Sequence, residues 1–230
     1  MNRATTAKVA PRRKEIDRKS LDEEIADRLR DAIFAGEIKS GERLTELALA
    51  DQWQVSQGTI RAALKTLQHE GLVETRKRRG TFVTSITEAD VLEIFTLRDM
   101  LETFAARRAA QRVTPHSRRI LDRIVQDMRA AAAAGDRKGM LELDFQYHRA
   151  IVTMCGHRRL AEIYASLESQ TRLFLTMSDI LHDDLDHAVS HHAPLAEAIM
   201  AGDEQKALKL ASGHAERDAM EIVAALFHKG

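Results

Sequence analysis

The chain lacks the material for a disulfide-stapled, β-rich or membrane-embedded protein. Cysteine occurs once in 230 residues, at Cys155, so no internal disulfide can form; the residue reads as a small buried hydrophobe in a reducing cytoplasm. Prolines number three and aromatic residues make up only 4% of the chain, which favours helices over a sandwich or barrel. No run approaches the roughly 20 apolar residues that span a bilayer, and the N-terminus has no apolar signal core, so neither a membrane role nor secretion is expected. Net charge is absent too: 35 Lys and Arg balance 35 Asp and Glu. The balance is uneven along the chain, however. Residues 1–86 hold 17 basic against 13 acidic side chains, and residues 87–230 hold 18 against 22. A basic first third on an acidic remainder fits a nucleic-acid-binding head joined to a body with another task.

What is present is a globular composition, 44% hydrophobic and 30% charged, with length for two cores. Residues 1–19 form a basic tail with Arg12-Arg13-Lys14 and Arg18-Lys19 and almost no apolar content. Leu21, Ile25, Leu29 and Ile33 then recur every four residues, one face of a helix over Ser20–Ala35 that ends at Gly36. Ile38–Leu44 reads as a loop. The stretch Thr45–Val83 reads as a short helix Glu46–Gln52, a turn at Trp53–Val55, a second helix Ser56–His69 and a two-stranded hairpin over Gly71–Val83. Ser56 is the expected N-cap of the second helix, whose apolar stripe is Ile60, Ala63, Leu64 and Leu67. Its other side offers Gln57, Thr59, Arg61 and Lys65, all hydrogen-bond donors. A helix–turn–helix places such a helix in the major groove with its first turn at the base edges. The hairpin tip, Arg76-Lys77-Arg78-Arg79-Gly80, has the cationic character of a wing that touches phosphates.

The ordered series Ile38-Lys-Ser-Gly-Glu-Arg-Leu44, Leu49-Ala50, Val55-Ser56, Ile60-Arg-Ala-Ala-Leu64, Leu67, Gly71-Leu-Val73 and Gly80-Thr-Phe-Val83 resembles the winged-helix head of GntR-type bacterial transcription regulators over residues 21–83. By that resemblance Arg43, Arg61 and the Gly80 tip meet duplex DNA. Ser56, Gln57, Thr59, Lys65, Lys77, Arg78 and Arg79 complete the expected DNA face. Two positions depart from the family pattern, which usually has arginine at Gln57 and proline at Thr59. Glutamine suits adenine where arginine prefers guanine, so a different half-site is expected.

Thr84–Glu88 marks the boundary between a head at residues 20–84 and a body at 88–230. The body reads as six helices: Glu88–Val113, Pro115–Ala134, Arg137–Cys155, Arg158–Met177, Asp184–Ala201 and Glu204–His228. The expected fold class is thus mostly α, a winged helix–turn–helix followed by an all-α six-helix bundle. Polar residues on apolar stripes point to a site, because a buried polar group needs a partner. Asp144 and His148 fall on the stripe of Leu141, Phe145, Ile151, Val152 and Cys155. His192 falls among Val189, Leu195, Ala196 and Ile199, and His214 follows Ala207, Leu210 and Ala211. One carboxylate and three imidazoles on inward faces of three helices have the composition of a divalent metal site. His187 and His191 are rival ligands. Arg98, in a stripe with Val91, Ile94, Leu101 and Ala105, must meet an anion: either the carboxylate of a small organic acid or an internal partner such as Glu102.

The layout Asp144-Phe-Gln-Tyr-His148, His192, His214, with Arg98-Asp-Met-Leu-Glu102, also resembles the metal-binding branch of the FCD ligand domain that follows the winged helix in FadR-like GntR regulators. The resemblance implies Zn, Ni or a similar ion on Asp144, His148, His192 and His214, and six helices match the shorter, VanR-type form. It further implies a homodimer that reads a palindromic operator, controlled by a small carboxylate effector and more often a repressor than an activator. The competing class is a metal-dependent enzyme. No general base beyond the ligands stands beside the cluster, and catalysis leaves residues 21–83 unexplained. A third reading makes the ion itself the signal.

Overall fold

A computed structural model describes residues 19–178 and 185–228. The basic tail at 1–18, the expected helix start at Asp184 and the last two residues lie outside the described residues. The head comprises α1 (Leu21–Phe34), β1 (Arg43–Leu44), α2 (Glu46–Trp53), α3 (Gln57–His69), β2 (Val73–Arg76) and β3 (Gly80–Val83). The body comprises α4 (Glu88–Gln111), α5 (Pro115–Ala134), α6 (Arg137–Met154), α7 (Arg158–Ser178), α8 (Leu185–Ala201), α9 (Glu204–Ala211) and α10 (His214–Phe227).

Local chemistry explains most of these ends. Ser56 Oγ accepts from the Thr59 backbone N–H and starts α3. Thr87 with Asp90, and Thr114 with Ser117, close reciprocal caps on α4 and α5, the latter with Pro115 in the first turn. Asp136 and Asp203 cap α6 and α9.

The structure corrects the sequence reading in two places. The wing is three-stranded, in the order β1-β3-β2, because Arg43–Leu44 leaves the expected loop and pairs antiparallel with Phe82 and Thr81. The expected last helix is two helices, so the body has seven among the described residues. The break lies at Ser212-Gly213, where Gly213 takes a left-handed φ of 72°. The Asp99 carboxylate of α4 then accepts from the Gly213 and Ala215 backbone N–H groups at 3.1 and 3.2 Å, capping α10 from another helix. His214 is thereby held as the first residue of α10.

Head and body share one core. Ile25, Leu29, Ile60, Leu64 and Leu67 of the head belong to the same buried cluster as Phe95, Phe145, Leu173, Phe174 and Ile222 of the body. A second cluster fills the rest of the bundle, with Leu121, Met140, Tyr147, Ile151 and Ile199 at its centre. The sites of interest lie where α4, α6, α8 and α10 meet, and on the outer side of α3.

Candidate metal centre and nucleic-acid interface

Asp144, His148, His192 and His214 converge, as their stripe positions required, and all four are buried. The Nε2 atoms of His148 and His192 stand 3.2 Å apart. Asp144 Oδ1 is 3.0 Å from His192 Nε2 and 3.7 Å from His148 Nε2. One ring nitrogen from each of His148, His192 and His214 lies within 4.8 Å of the others. Among the described residues, His214 Nε2 is buried with no hydrogen-bond partner.

The other ring nitrogens are already engaged. His148 Nδ1 is 3.0 Å from Glu102 Oε2, and His192 Nδ1 is 2.6 Å from the Ala188 carbonyl. Each Nδ1 therefore donates, and each Nε2 is left to the cluster, as a lone pair in the neutral ring or as a donor to Asp144 when His192 is protonated. With both rings neutral, two lone pairs and a carboxylate oxygen at this spacing repel, so a positive centre belongs among them, either a shared proton or a metal ion. Ligands at about 2.05 Å around a tetrahedral zinc stand roughly 3.3 Å from one another, which the His148, His192 and Asp144 spacing approaches. The donor set, the spacing and the orphaned His214 nitrogen all fit a divalent ion.

Electrostatics support the same arrangement. Burial opposes ionisation of Asp144, but the His192 hydrogen bond and the nearby His148 hold its pKa below the ordinary 3.8. Burial likewise opposes a charge on His192, yet Asp144 outweighs it and holds its pKa above 6.5. His214 is neutral: burial first, then His192 and His148, press its pKa well below 6.5.

Glu102 is the group that sequence reasoning undervalued. It accepts from Arg98 at 2.8–2.9 Å, from the Tyr164 hydroxyl at 2.9 Å, and meets His148 Nδ1. Burial works against its charge, but Arg98 and His148 keep it ionised, well below the usual carboxylate range. Arg98 accordingly has the internal partner left open at the sequence level. One of its terminal nitrogens, Nη1, is still buried without a partner among the described residues. The chain has two tyrosines, and both hydroxyls reach this centre: Tyr164 donates to Glu102 and Tyr147 to the His192 carbonyl. That scarcity is a signal the sequence did carry.

The rival histidines face elsewhere. His191 stacks on the His214 ring with centroids 4.0 Å apart, while its Nε2 accepts from Arg217 at 3.1 Å. Burial and the charges of His192 and Arg217 lower its pKa to about 4. His187 stacks on His191, outside the convergent group. The cavity against the cluster is small, about 10 Å³, lined by Glu102, Ala106, His148, Ile151, Leu195, Ala211 and His214.

On the head, Gln57, Arg61 and Lys65 are exposed at four-residue spacing along α3. The Arg61 guanidinium is bidentate on Glu46 of α2, at 2.6–3.1 Å. The Ser56 and Thr59 hydroxyls are 2.9 Å apart and form part of the helix cap. Lys77, Arg78, Arg79 and Gly80 are exposed at the wing tip. Arg43 lies against Gly80, its Nε 3.3 Å from where a Cβ would stand. Arg76 is held back on the sheet, over the Phe82 ring at 4.5 Å and paired with Glu74.

Residues 21–83 match the family described as bacterial regulatory proteins, gntR family, and residues 93–217 match the FCD domain. The chain belongs to the GntR family of bacterial regulators, in the branch with an FCD domain. This GntR protein is 30% identical over 196 residues, 84% of this chain and 85% of the relative, to a probable D-xylose utilization operon transcriptional repressor of Paenarthrobacter nicotinovorans. It is 28% identical over 199 residues to the gluconate operon transcriptional repressor of Bacillus licheniformis, covering 84% of this chain and 82% of that one. A GntR regulator from Rhodococcus sp. RHA1 has the same fold, with a TM-score of 0.73 and 25% identity over 89% of this chain and 98% of that one. Members of the GntR family are transcription regulators rather than enzymes, and no helix among the described residues is long and apolar enough to cross a membrane.

Proposed function

We propose that this GntR regulator is an effector-controlled repressor that binds a palindromic operator as a homodimer in the cytoplasm, with a divalent ion, zinc or nickel, held by Asp144, His148, His192 and His214. The observation that carries the reading is the facing Nε2 pair of His148 and His192, whose tautomers are set by Glu102 and Ala188. Relatives named as operon repressors support repression over activation. When bound, the ion supplies a fixed positive charge that can anchor an acidic effector. Arg98, with one buried donor unpartnered, supplies a second anchor for a carboxylate.

The DNA face in this reading is Gln57, Thr59, Arg61 and Lys65 along α3, with Ser56 at its cap, and Arg43, Lys77, Arg78, Arg79 and Gly80 at the wing. Phosphate contacts from the wing fix the register, and the α3 stripe reads base edges. Arg61 must leave Glu46 to do so.

A cavity of about 10 Å³ holds an ion or a water, and no organic acid. An acid effector therefore selects a second, looser packing of the bundle, which is the differential binding that a switch requires. The same small cavity favours a second reading, in which the ion is itself the signal. A thermal-shift screen of small carboxylic acids with and without chelator separates the two. Stabilisation by an acid only in metal-loaded protein supports the effector reading. A response to metal alone, at working concentrations and with no acid active, supports metal sensing. Metal analysis should give about one divalent ion per chain, lost in His148→Ala/His214→Ala; retention there overturns the assigned centre.

A further inference from the structure

We infer that α7 couples the histidine centre to the head, with Tyr164 as its inner contact and Ser169 and Gln170 as its outer ones. The inference rests on the metal-site reading above. Tyr164 donates to the same Glu102 oxygen that Arg98 holds, and the second oxygen of that carboxylate holds His148. Five residues along, Ser169 Oγ donates to Glu70 Oε2 at 3.2 Å. Glu70 ends α3, and its carboxylate grips Arg30 of α1 at 2.6 and 2.8 Å. Gln170 lies over Gly71, the next residue, so closely that a Cβ there would fall 1.7 Å from its Nε2. At 1.5 Å of rise per residue, these two ends of the contact are only about 8–9 Å apart along one helix.

The seat of the head on α7 has room to rock. Clefts of about 410 and 460 Å³ lie between head and body, and Leu173 and Thr84 line both. Leu173 is buried in the shared core, so the contact resembles a pivot between two open grooves. His148 and His192 would hold the ion, and a His148 ring so restrained would in turn restrain the Glu102 carboxylate to which Tyr164 donates. A small shift of Tyr164 moves Ser169 and Gln170 with it, because an intact helix turn transmits displacement rather than absorbing it.

Hydrogen exchange of the full-length protein, with zinc as the probe and calorimetry for affinity, tests this. The reporters are the backbone bonds Gly71 N–H to Gln68 and Leu72 N–H to Leu67. In the wild type, zinc should slow exchange around His148, His192 and His214 and also change it at residues 68–73. Tyr164→Phe removes one hydroxyl and should bind zinc while losing the change at 68–73. Ser169→Ala/Gln170→Ala, distant from the buried cluster, should do the same and stands in if Tyr164→Phe unfolds. Zinc protection at the histidines with no change at 68–73 in the wild type overturns the coupling and leaves the metal site standing. No heat and no protection anywhere overturns the metal site, and the coupling with it. Full retention of the remote change in both variants assigns the coupling to another element and overturns the role of α7.

Discussion

Glu102 holds His148 by its Nδ1 at 3.0 Å and so decides which ring nitrogen faces the other imidazoles. The relationship is that of a carboxylate orienting an imidazole from behind, which fixes its tautomer. Glu102→Gln keeps the shape and removes the charge. Metal affinity should fall about 10–100-fold with the stoichiometry intact, as is typical for such partners. Because Arg98 then loses its buried counter-ion, a circular dichroism melt must accompany the titration. Unchanged affinity in a folded variant would show that Glu102 serves Arg98 and Tyr164 and does not tune His148.

Arg61 is exposed yet bonded to Glu46. An exposed pair of this kind contributes little to stability, so its loss should register in DNA binding rather than folding. Arg61→Ala should weaken specific binding by about 1–3 kcal/mol and relax preference at one base position. Replacing Lys77, Arg78 and Arg79 with alanine should instead weaken all sequences and flatten the salt dependence, by a slope of about 0.9 for each phosphate contact removed. Anisotropy titrations over a salt series separate the two effects. An Arg61→Ala footprint identical to wild type removes that residue from the interface.

Much of this was legible in the sequence because it depends on local pattern. The α3 stripe of Ile60, Ala63, Leu64 and Leu67 and the cap at Ser56 are encoded within one helix. The four candidate metal ligands showed as polar interruptions of apolar stripes, and all four are buried together. What escaped depends on contacts between distant segments. The split between α9 and α10 needs Asp99, more than a hundred residues away, to cap the second helix. The strand Arg43–Leu44 exists only because β3 presents an edge to it. Glu102 was visible as the partner of Arg98 at four-residue spacing, but its grip on His148 crosses from α4 to α6.

Asp218 gives the bundle a pH signature. Burial raises its pKa from 3.8 to about 7, against the opposing charge of Arg98. A carboxyl whose folded pKa lies above its unfolded value stabilises the fold fully below the unfolded value. That contribution is lost as pH rises through about 7. Asp218→Asn, a neutral isostere, should therefore melt above wild type by a margin that grows from pH 5 to pH 8, in chelator. Since 22% of the Asp218 side chain stays exposed, water softens the effect. Shifts run to roughly 2–4 °C per kcal/mol in a chain of this size. His214, which loses stability in the opposite direction as pH falls, is common to both proteins and cancels in the difference. A variant less stable than wild type at pH 8 would show Asp218 to be ionised and favourably paired instead.

Gly71 and Gln170 test how firmly the head is seated. Gly71 has a φ of +74°, and a Cβ on it would meet Gln170 Nε2 at 1.7 Å and Cδ at 2.7 Å. Gly71→Ala thus carries two costs, a backbone one of about 1–2 kcal/mol for a left-handed alanine and a steric one from Gln170. Only the second can be relieved elsewhere. In Gly71→Ala/Gln170→Ala the steric cost vanishes while the backbone cost stays, so urea unfolding should place the double variant between the single variant and wild type. The difference between the two variants then measures what it takes to displace the Gln170 amide from the end of α3. If single and double variants unfold together, Gln170 swings aside freely, and the close approach seen over Gly71 does not hold the head in place.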